Sequence, residues 1–167
     1  APAGTPPGAP ERAADLSGRW TGTSHFVVVD ATGDVVSMTT TIEGPFGAQR
    51  MAAGFFLNNQ MTDFSFVPAD AKGRPVANAV APGKKPRSSM APTIVFRDGR
   101  FLLAAGSPGG NAIIGYVLKT LVGVLDWGLT PQQAIALPNV VARGKPLVEA
   151  GFDAGLRAAL TAMGHEI

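Results

Sequence analysis

The first regular pattern of apolar and polar positions begins at Phe26. Phe26 to Asp30 and Asp34 to Ile42 are rich in β-branched and aromatic residues, and Ala31-Thr32-Gly33 between them carries the glycine of a tight turn, so the stretch predicts a hairpin. A second hairpin is predicted by Thr93 to Arg97, the two-residue turn Asp98-Gly99 and the return from Phe101 to Ala105. After Gly106-Ser107-Pro108-Gly109-Gly110 the period lengthens. From Asn111 to about Asp126, Ile113, Ile114, Val117, Leu118, Leu121, Val122, Val124 and Leu125 predict a helix apolar on nearly every side and buried over most of its surface. Gly128 ends it. Thr130-Pro131-Gln132-Gln133 then supplies an N-cap, a first-turn proline and a capping-box glutamine for a short helix that Pro138 stops. Leu147-Val148-Glu149 reads as a short strand. Asp153 caps a last helix in which Leu156, Ala159, Leu160 and Met163 are spaced i, i+3, i+4 and i+7, with Gly164 behind it. Strands first and helices later predict an α+β fold with sheets packed under a helical layer.

Two stretches carry no period. Residues 1–22 are dominated by Pro, Gly and Ala and read as a mobile linker. From Ser65 to Arg87 the Pro, Gly and Lys content rises, which predicts a long loop placed to cover a site. The start at Ala1 without methionine, and the stop at Gly164-His165-Glu166-Ile167 where a strand would begin, make both ends read as cuts in a longer protein.

Composition narrows the function. With 167 residues, 46% of them hydrophobic and 16% charged, the chain has one domain's length and material for a substantial core. The formal charge is +2 and the basic residues are scattered apart from Lys84, Lys85 and Arg87, so nucleic acid is not an expected partner. There is no cysteine, hence no disulfide and no thiolate chemistry. No apolar run approaches the roughly 18 residues of a membrane span, and the N-terminal residues lack the basic and apolar regions of a signal peptide. With two histidines and no cysteine, neither a metal nor another cofactor is expected.

The candidate chemistry centres on Gly22-Thr23. A threonine hydroxyl is a weak nucleophile unless a base lies beside it, and a threonine freed as a chain's first residue carries that base as its own α-amino group. Such an amine titrates at about 7.7 to 8.0, so a useful fraction is unprotonated near neutral pH. Gly22 leaves the bond ahead of Thr23 uncrowded. Thr39 and Thr41 share a face of the neighbouring strand, and either can present a hydroxyl to Thr23. Asn58, Asn59, Gln60 and Asp63 need partners if buried, and a substrate amine is one; an Asn-rich turn satisfying its own backbone is the alternative. The strand, glycine turn and helix start around Gly106–Gly110 suit an anion or a developing oxyanion. A triad built from Ser24 or Ser89 with His25 and Asp30 lacks the sequence context of a nucleophile elbow.

Five segments, GTSHF, MTTTIEGPFG, LNNQMTDF, KPRSSMAPTIV and GSPGGNAII, stand here in the order found in γ-glutamyltransferases, also called γ-glutamyltranspeptidases or glutathione hydrolases. From about Gly22 to Ile167 the chain resembles most of that family's small subunit, truncated at its C-terminal end, with residues 1–22 resembling the end of the large subunit. The resemblance implies a precursor that cuts itself between Gly22 and Thr23, and an αββα sandwich of the N-terminal-nucleophile hydrolase type, present here as a partial domain. It implies Thr23 as nucleophile, Thr41 as the hydroxyl that orients it, and Gly109 and Gly110 as the oxyanion hole. It implies Gln60 and Asp63 at the α-amino group of a γ-glutamyl substrate such as glutathione, and Ser88 and Ser89 at its α-carboxylate. The acyl group would pass to water or to an amino-acid or peptide amine. A large subunit of the same precursor is the implied partner, and the periplasm or the exterior the implied location. Glu43 stands where many members carry Asn, and its carboxylate would hold the amine more strongly. Thr62 replaces a common acid and the loop lacks an aromatic residue some members use, departures that bear on acceptor choice and water exclusion; the family's main carboxylate-binding arginine lies in the large subunit, so this segment alone is expected to be inefficient. A glutaryl or cephalosporin acylase of the same fold, and an uncleaved non-catalytic relative, are the alternatives.

Overall fold

The computed structural model describes residues 22–143 and 145–167, together with Gly8; the linker expected over residues 1–22 otherwise lies outside the described residues. Two compact units result, one comprising Ile42–Ser88 and the other residues 22–41 with Ser89–Ile167.

In the larger unit, β1 (Thr23–Val29) and β2 (Val35–Thr41) form the expected antiparallel hairpin, in register from Thr23 opposite Thr41 to Val29 opposite Val35. Its turn is closed by a side chain: the Asp30 carboxylate accepts from the backbone N–H groups of Thr32 and Asp34, each at 2.9 Å, an arrangement that holds the two strands in that register. A second hairpin pairs strands over Thr93–Arg97 and Arg100–Ala105, with Asp98 and Gly99 both at positive φ in its two-residue turn, as a turn matched to strand twist requires. In the remaining hairpin of this unit, Val140–Arg143 pairs with Lys145–Val148. Only the second of those two strands was expected, and it starts two residues early.

The helix Ile113–Leu125 follows the glycine turn and packs against the short helix Pro131–Ala136 and the strand Val140–Arg143. Gly123 makes the close approach possible, since a Cβ there would lie 2.8 Å from that of Ala134. Its burial is one-sided, contrary to expectation. Ile113 and Val117 are buried, whereas Ile114 and Leu118, one position further round, are 56% and 58% exposed. An all-apolar helix is covered only on the face its neighbours reach. The short helix has the full capping box, Thr130 and Gln133 each bonding the other's backbone N–H. Asp153 caps the last helix, Ala154–Ala162, by accepting from the N–H of Leu156 at 2.8 Å. No described helix is long and apolar enough to cross a membrane.

The smaller unit contains a short hairpin of Met51–Ala52 with Phe55–Phe56, a 3₁₀ turn over Gln60–Asp63, and the long loop that composition predicts. That loop is organised by buried side chains rather than by strands. Phe64 and Val76 are its core, and buried Asn78 ties it together: its carbonyl accepts from the N–H of Ser65 at 2.9 Å, its amide donates to the Asp63 carbonyl, and its Oδ1 accepts from the N–H of Arg87 at 3.2 Å.

Candidate active site

The hairpin register decides which threonine faces Thr23. Thr41 lies directly opposite, and the Thr23 hydroxyl donates to Thr41 Oγ1 at 3.2 Å while the Thr41 hydroxyl donates to the Gly22 carbonyl oxygen, also at 3.2 Å. Thr41 thus touches both the candidate nucleophile and the peptide bond ahead of it. Thr39 is opposite His25 instead, and its hydroxyl shares a 2.8 Å hydrogen bond with His25 Nδ1. Burial holds the His25 pKa below its ordinary value, so the ring is neutral near pH 7. With His25 committed to Thr39 and Asp30 committed to the turn at the far end of the strand, the serine triad has no support.

The same unit holds the glycine turn. Gly106 leaves the strand Arg100–Ala105, and the chain passes through Gly109 at φ 138° and Gly110 at φ 53° into a 3₁₀ turn over Gly110–Ala112 and then the helix from Ile113. The glycine character at Gly109 is imposed twice, by that φ and by Tyr116, whose Cε2 lies 2.6 Å from where a Cβ would stand. The backbone N–H groups here sit at the positive end of the helix dipole. His25, Gly106, Ser107, Pro108, Tyr116 and Lys119 are among the residues lining an adjacent cavity of about 410 Å³. Ser89 opens this segment ahead of the strand Thr93–Arg97.

In the smaller unit the expected polar residues divide into two sets. Asn58 and Asn59 are bonded within this unit: Asn58 Oδ1 accepts from the Gln60 N–H at 2.9 Å, and Asn59 accepts from the Gly44 N–H at 2.8 Å and donates to Thr62 Oγ1 at 3.1 Å. For Asn58 this is the turn-satisfying reading, whereas Asn59 ties the turn to Gly44. Gln60 donates to the Asp63 carboxylate, and Glu43 belongs electrostatically with Asp63 and Arg87. Glu43 is 8% exposed and takes a left-handed φ of 72°. Its pKa is raised above 4.5, mainly by burial and next by the like charge of Asp63, with Arg87 opposing. Ser88 ends this unit. Arg87 was legible only as a cationic residue near two lysines, and its electrostatic tie to Glu43 was not. Among the described residues no group of three or more His, Cys, Asp or Glu side chains is placed to hold a metal ion.

The Glu43 environment has a measurable sign. A raised carboxyl pKa means the folded state holds that proton more tightly, so this contribution favours folding below pH 4.5 and is lost as pH rises through the folded value. Glu43→Gln is therefore expected to raise Tm at pH 7 to 8 and to leave it unchanged below pH 4, as read by calorimetry across that range. An unchanged Tm difference at all pH values would show that the buried charge carries no penalty.

A family model described as gamma-glutamyltranspeptidase matches residues 7–167. The chain is 40% identical over 148 residues to the glutathione hydrolase proenzyme of Bacillus subtilis strain 168, covering 86% of this chain and 24% of that protein. It is 38% identical over 148 residues to the acylase ACY 1 proenzyme of Pseudomonas sp. strain V22, covering 87% and 25%. It thus spans about a quarter of the length of these curated relatives. A crystal structure of a threonine-to-alanine mutant of Helicobacter pylori gamma-glutamyltranspeptidase superposes with a TM-score of 0.76 at 36% identity, covering 86% of this chain and 82% of the other. The fold class is accordingly α+β, part of an αββα sandwich of the N-terminal-nucleophile hydrolase type. On these matches the chain belongs to the gamma-glutamyltranspeptidase family.

Proposed function

We propose that this chain is the nucleophile-bearing part of a self-processing γ-glutamyl acyl transferase and hydrolase. Residues 1–22 end the large-subunit region and 23–167 form the small-subunit region. The observation that carries the reading is the position of the Thr41 hydroxyl, within hydrogen-bond reach of both Thr23 Oγ1 and the Gly22 carbonyl oxygen.

In the precursor, Thr23 Oγ1 attacks the Gly22 carbonyl carbon, and the Thr41 hydroxyl donates to the oxygen on which negative charge develops. Collapse expels the Thr23 nitrogen, the hydroxyl proton passes to it, and an ester joins Gly22 to Thr23 Oγ1. Water then hydrolyses that ester to a Gly22 carboxylate and frees the Thr23 hydroxyl beside the amine already released. The amine is now the base. It takes the hydroxyl proton as Oγ1 attacks the γ-carbonyl of a substrate such as glutathione, and gives it to the leaving amine. A γ-glutamyl ester on Thr23 remains, to be released to water or to an amino-acid or peptide amine. In this reading Gly109 and Gly110 supply the N–H groups for the tetrahedral oxyanion, Glu43, Gln60 and Asp63 hold the substrate's α-amino group, and Ser88 and Ser89 hold its α-carboxylate. The large subunit of the same precursor completes the enzyme, which acts in the periplasm or outside the cell.

The identity to an acylase proenzyme supports a second reading, in which the acyl group is glutaryl or a cephalosporin side chain. It lacks an amine for Asp63. Intact-mass measurement of the full-length, matured protein is expected to give two chains, the second beginning at Thr23, with faster turnover of a γ-glutamyl than of a glutaryl anilide. The reverse preference would establish the acylase reading, and one unbroken chain without turnover would establish a non-catalytic relative.

A further inference from the structure

Side chains two apart on a strand share a face, so His25 stands beside Thr23 and Thr39 beside Thr41. The hairpin presents two polar rungs in succession, Thr23 with Thr41 and His25 with Thr39. The second rung reaches across to the glycine turn. A Cβ on Gly106 would lie 2.2 Å from both His25 Cε1 and Nδ1, and 2.6 Å from Cγ, which means the imidazole lies flat on the bare Cα where that turn begins. At the turn's other end the Tyr116 ring presses on Gly109 in the same way. His25 Nε2 is buried without a hydrogen-bond partner, an arrangement that costs stability. The position therefore uses the ring's shape and its Nδ1 bond rather than its full bonding capacity.

We propose that His25 is a positioning residue: wedged between Thr39 and Gly106, its ring sets the separation between the Thr23 hydroxyl and the Gly109–Gly110 turn. The role rests on the reading of Thr23 and the glycine pair given above. His25 touches no substrate in this scheme. It fixes one reacting group against the donors that stabilise charge, and small misplacements of that kind are costly to the chemical step.

The test uses the full-length, matured enzyme with γ-glutamyl p-nitroanilide. His25→Ala and Gly106→Ala are each expected to lower kcat about 10- to 100-fold, because one removes the spacer and the other drives it out of place. KM for the donor is expected to change less than about twofold, as for a loss confined to the transition state. The double variant His25→Ala/Gly106→Ala has no ring for the new methyl to strike, so its kcat is expected to match that of His25→Ala alone, whereas independent sites would multiply their losses. His25→Asn, which keeps a polar atom near the Nδ1 position, is expected to recover part of kcat. Should His25→Ala fail to mature, the same cycle is run with His25→Asn in its place. Multiplied losses, or a rise in KM at unchanged kcat, in an enzyme whose wild type is active would overturn the role of His25 alone. A mature wild type that does not turn the anilide over would overturn the Thr23 reading, and the positioning role with it.

Discussion

Thr23→Ala is expected to leave the precursor as one chain and to lower γ-glutamyl turnover on the order of 10⁴-fold or more. Both effects follow from one missing oxygen. Without Oγ1 nothing attacks the Gly22 carbonyl, and without that cut the α-amino group stays locked in an amide and cannot act as base. Thr23→Ser keeps the oxygen and is expected to mature, more slowly, since it lacks the methyl that restricts χ1. Thr41→Val separates the supporting hydroxyl from the nucleophile. It preserves shape and the backbone pairing of Thr23 with Thr41, while deleting the donor now 3.2 Å from the Gly22 oxygen. Removing one such donor costs on the order of 10²-fold, so slow cleavage of a normally folded chain is the expected result. The measurements are intact mass against time and steady-state rates on a γ-glutamyl anilide. A Thr23→Ala protein that matured and retained turnover would end the assignment of the nucleophile.

Much of the candidate nucleophile's setting was legible because its proposed chemistry is local. Gly22-Thr23, the β-rich runs and the Gly33 turn lie close together in sequence, and alternation places Thr39 and Thr41 on one face. Choosing between them needed the register, which depends on the Asp30 carboxylate bridging the N–H groups of Thr32 and Asp34. An aspartate before a turn carries that possibility, but periodicity does not express it. The helix Ile113–Leu125 was legible as a helix, while its covered side was not, because apolar residues surround it. The small residues Gly123 and Ala134 mark the covered side more reliably than hydrophobicity does. The strand Val140–Arg143 is four residues long behind Pro138, too short for alternation to stand out. In Ser65–Arg87 the order comes from individual bonds, those of Asn78 and of the Asp70 carboxylate among them, for which no repeating pattern exists. The contact of His25 with Gly106, eighty-one residues apart in sequence, is of this long-range kind too.

Gly109→Ala is the second substitution with a large expected effect, a fall in kcat of about 10²- to 10³-fold, comparable to losing an oxyanion donor. Two separate penalties meet at this residue. Its φ of 138° lies where a Cβ is strained, at a cost of roughly 1–3 kcal/mol. In addition, the new methyl would stand 2.6 Å from Tyr116 Cε2 and 3.6 Å from Ile113 Cγ1, so either the ring moves or the turn does. Tyr116 is anchored in the helix that follows the turn, which makes movement of the backbone N–H groups the cheaper relaxation. A double variant separates the penalties: Gly109→Ala/Tyr116→Ala removes the clash and leaves the φ strain. It is expected to regain part of the lost Tm but little of kcat, because the φ strain at residue 109 by itself holds the N–H groups out of place. Gly110→Ala provides the comparison, since its φ of 53° is one that other residues occupy at modest cost. Its Tm is expected to fall less than that of Gly109→Ala. Full recovery of kcat in the Gly109→Ala/Tyr116→Ala variant would mean that the Tyr116 clash alone displaces these N–H groups, whereas a Gly109→Ala enzyme with unchanged kcat would mean that this turn supplies no donor to the reacting oxygen, leaving the Thr41 hydroxyl as the candidate nearest the nucleophile.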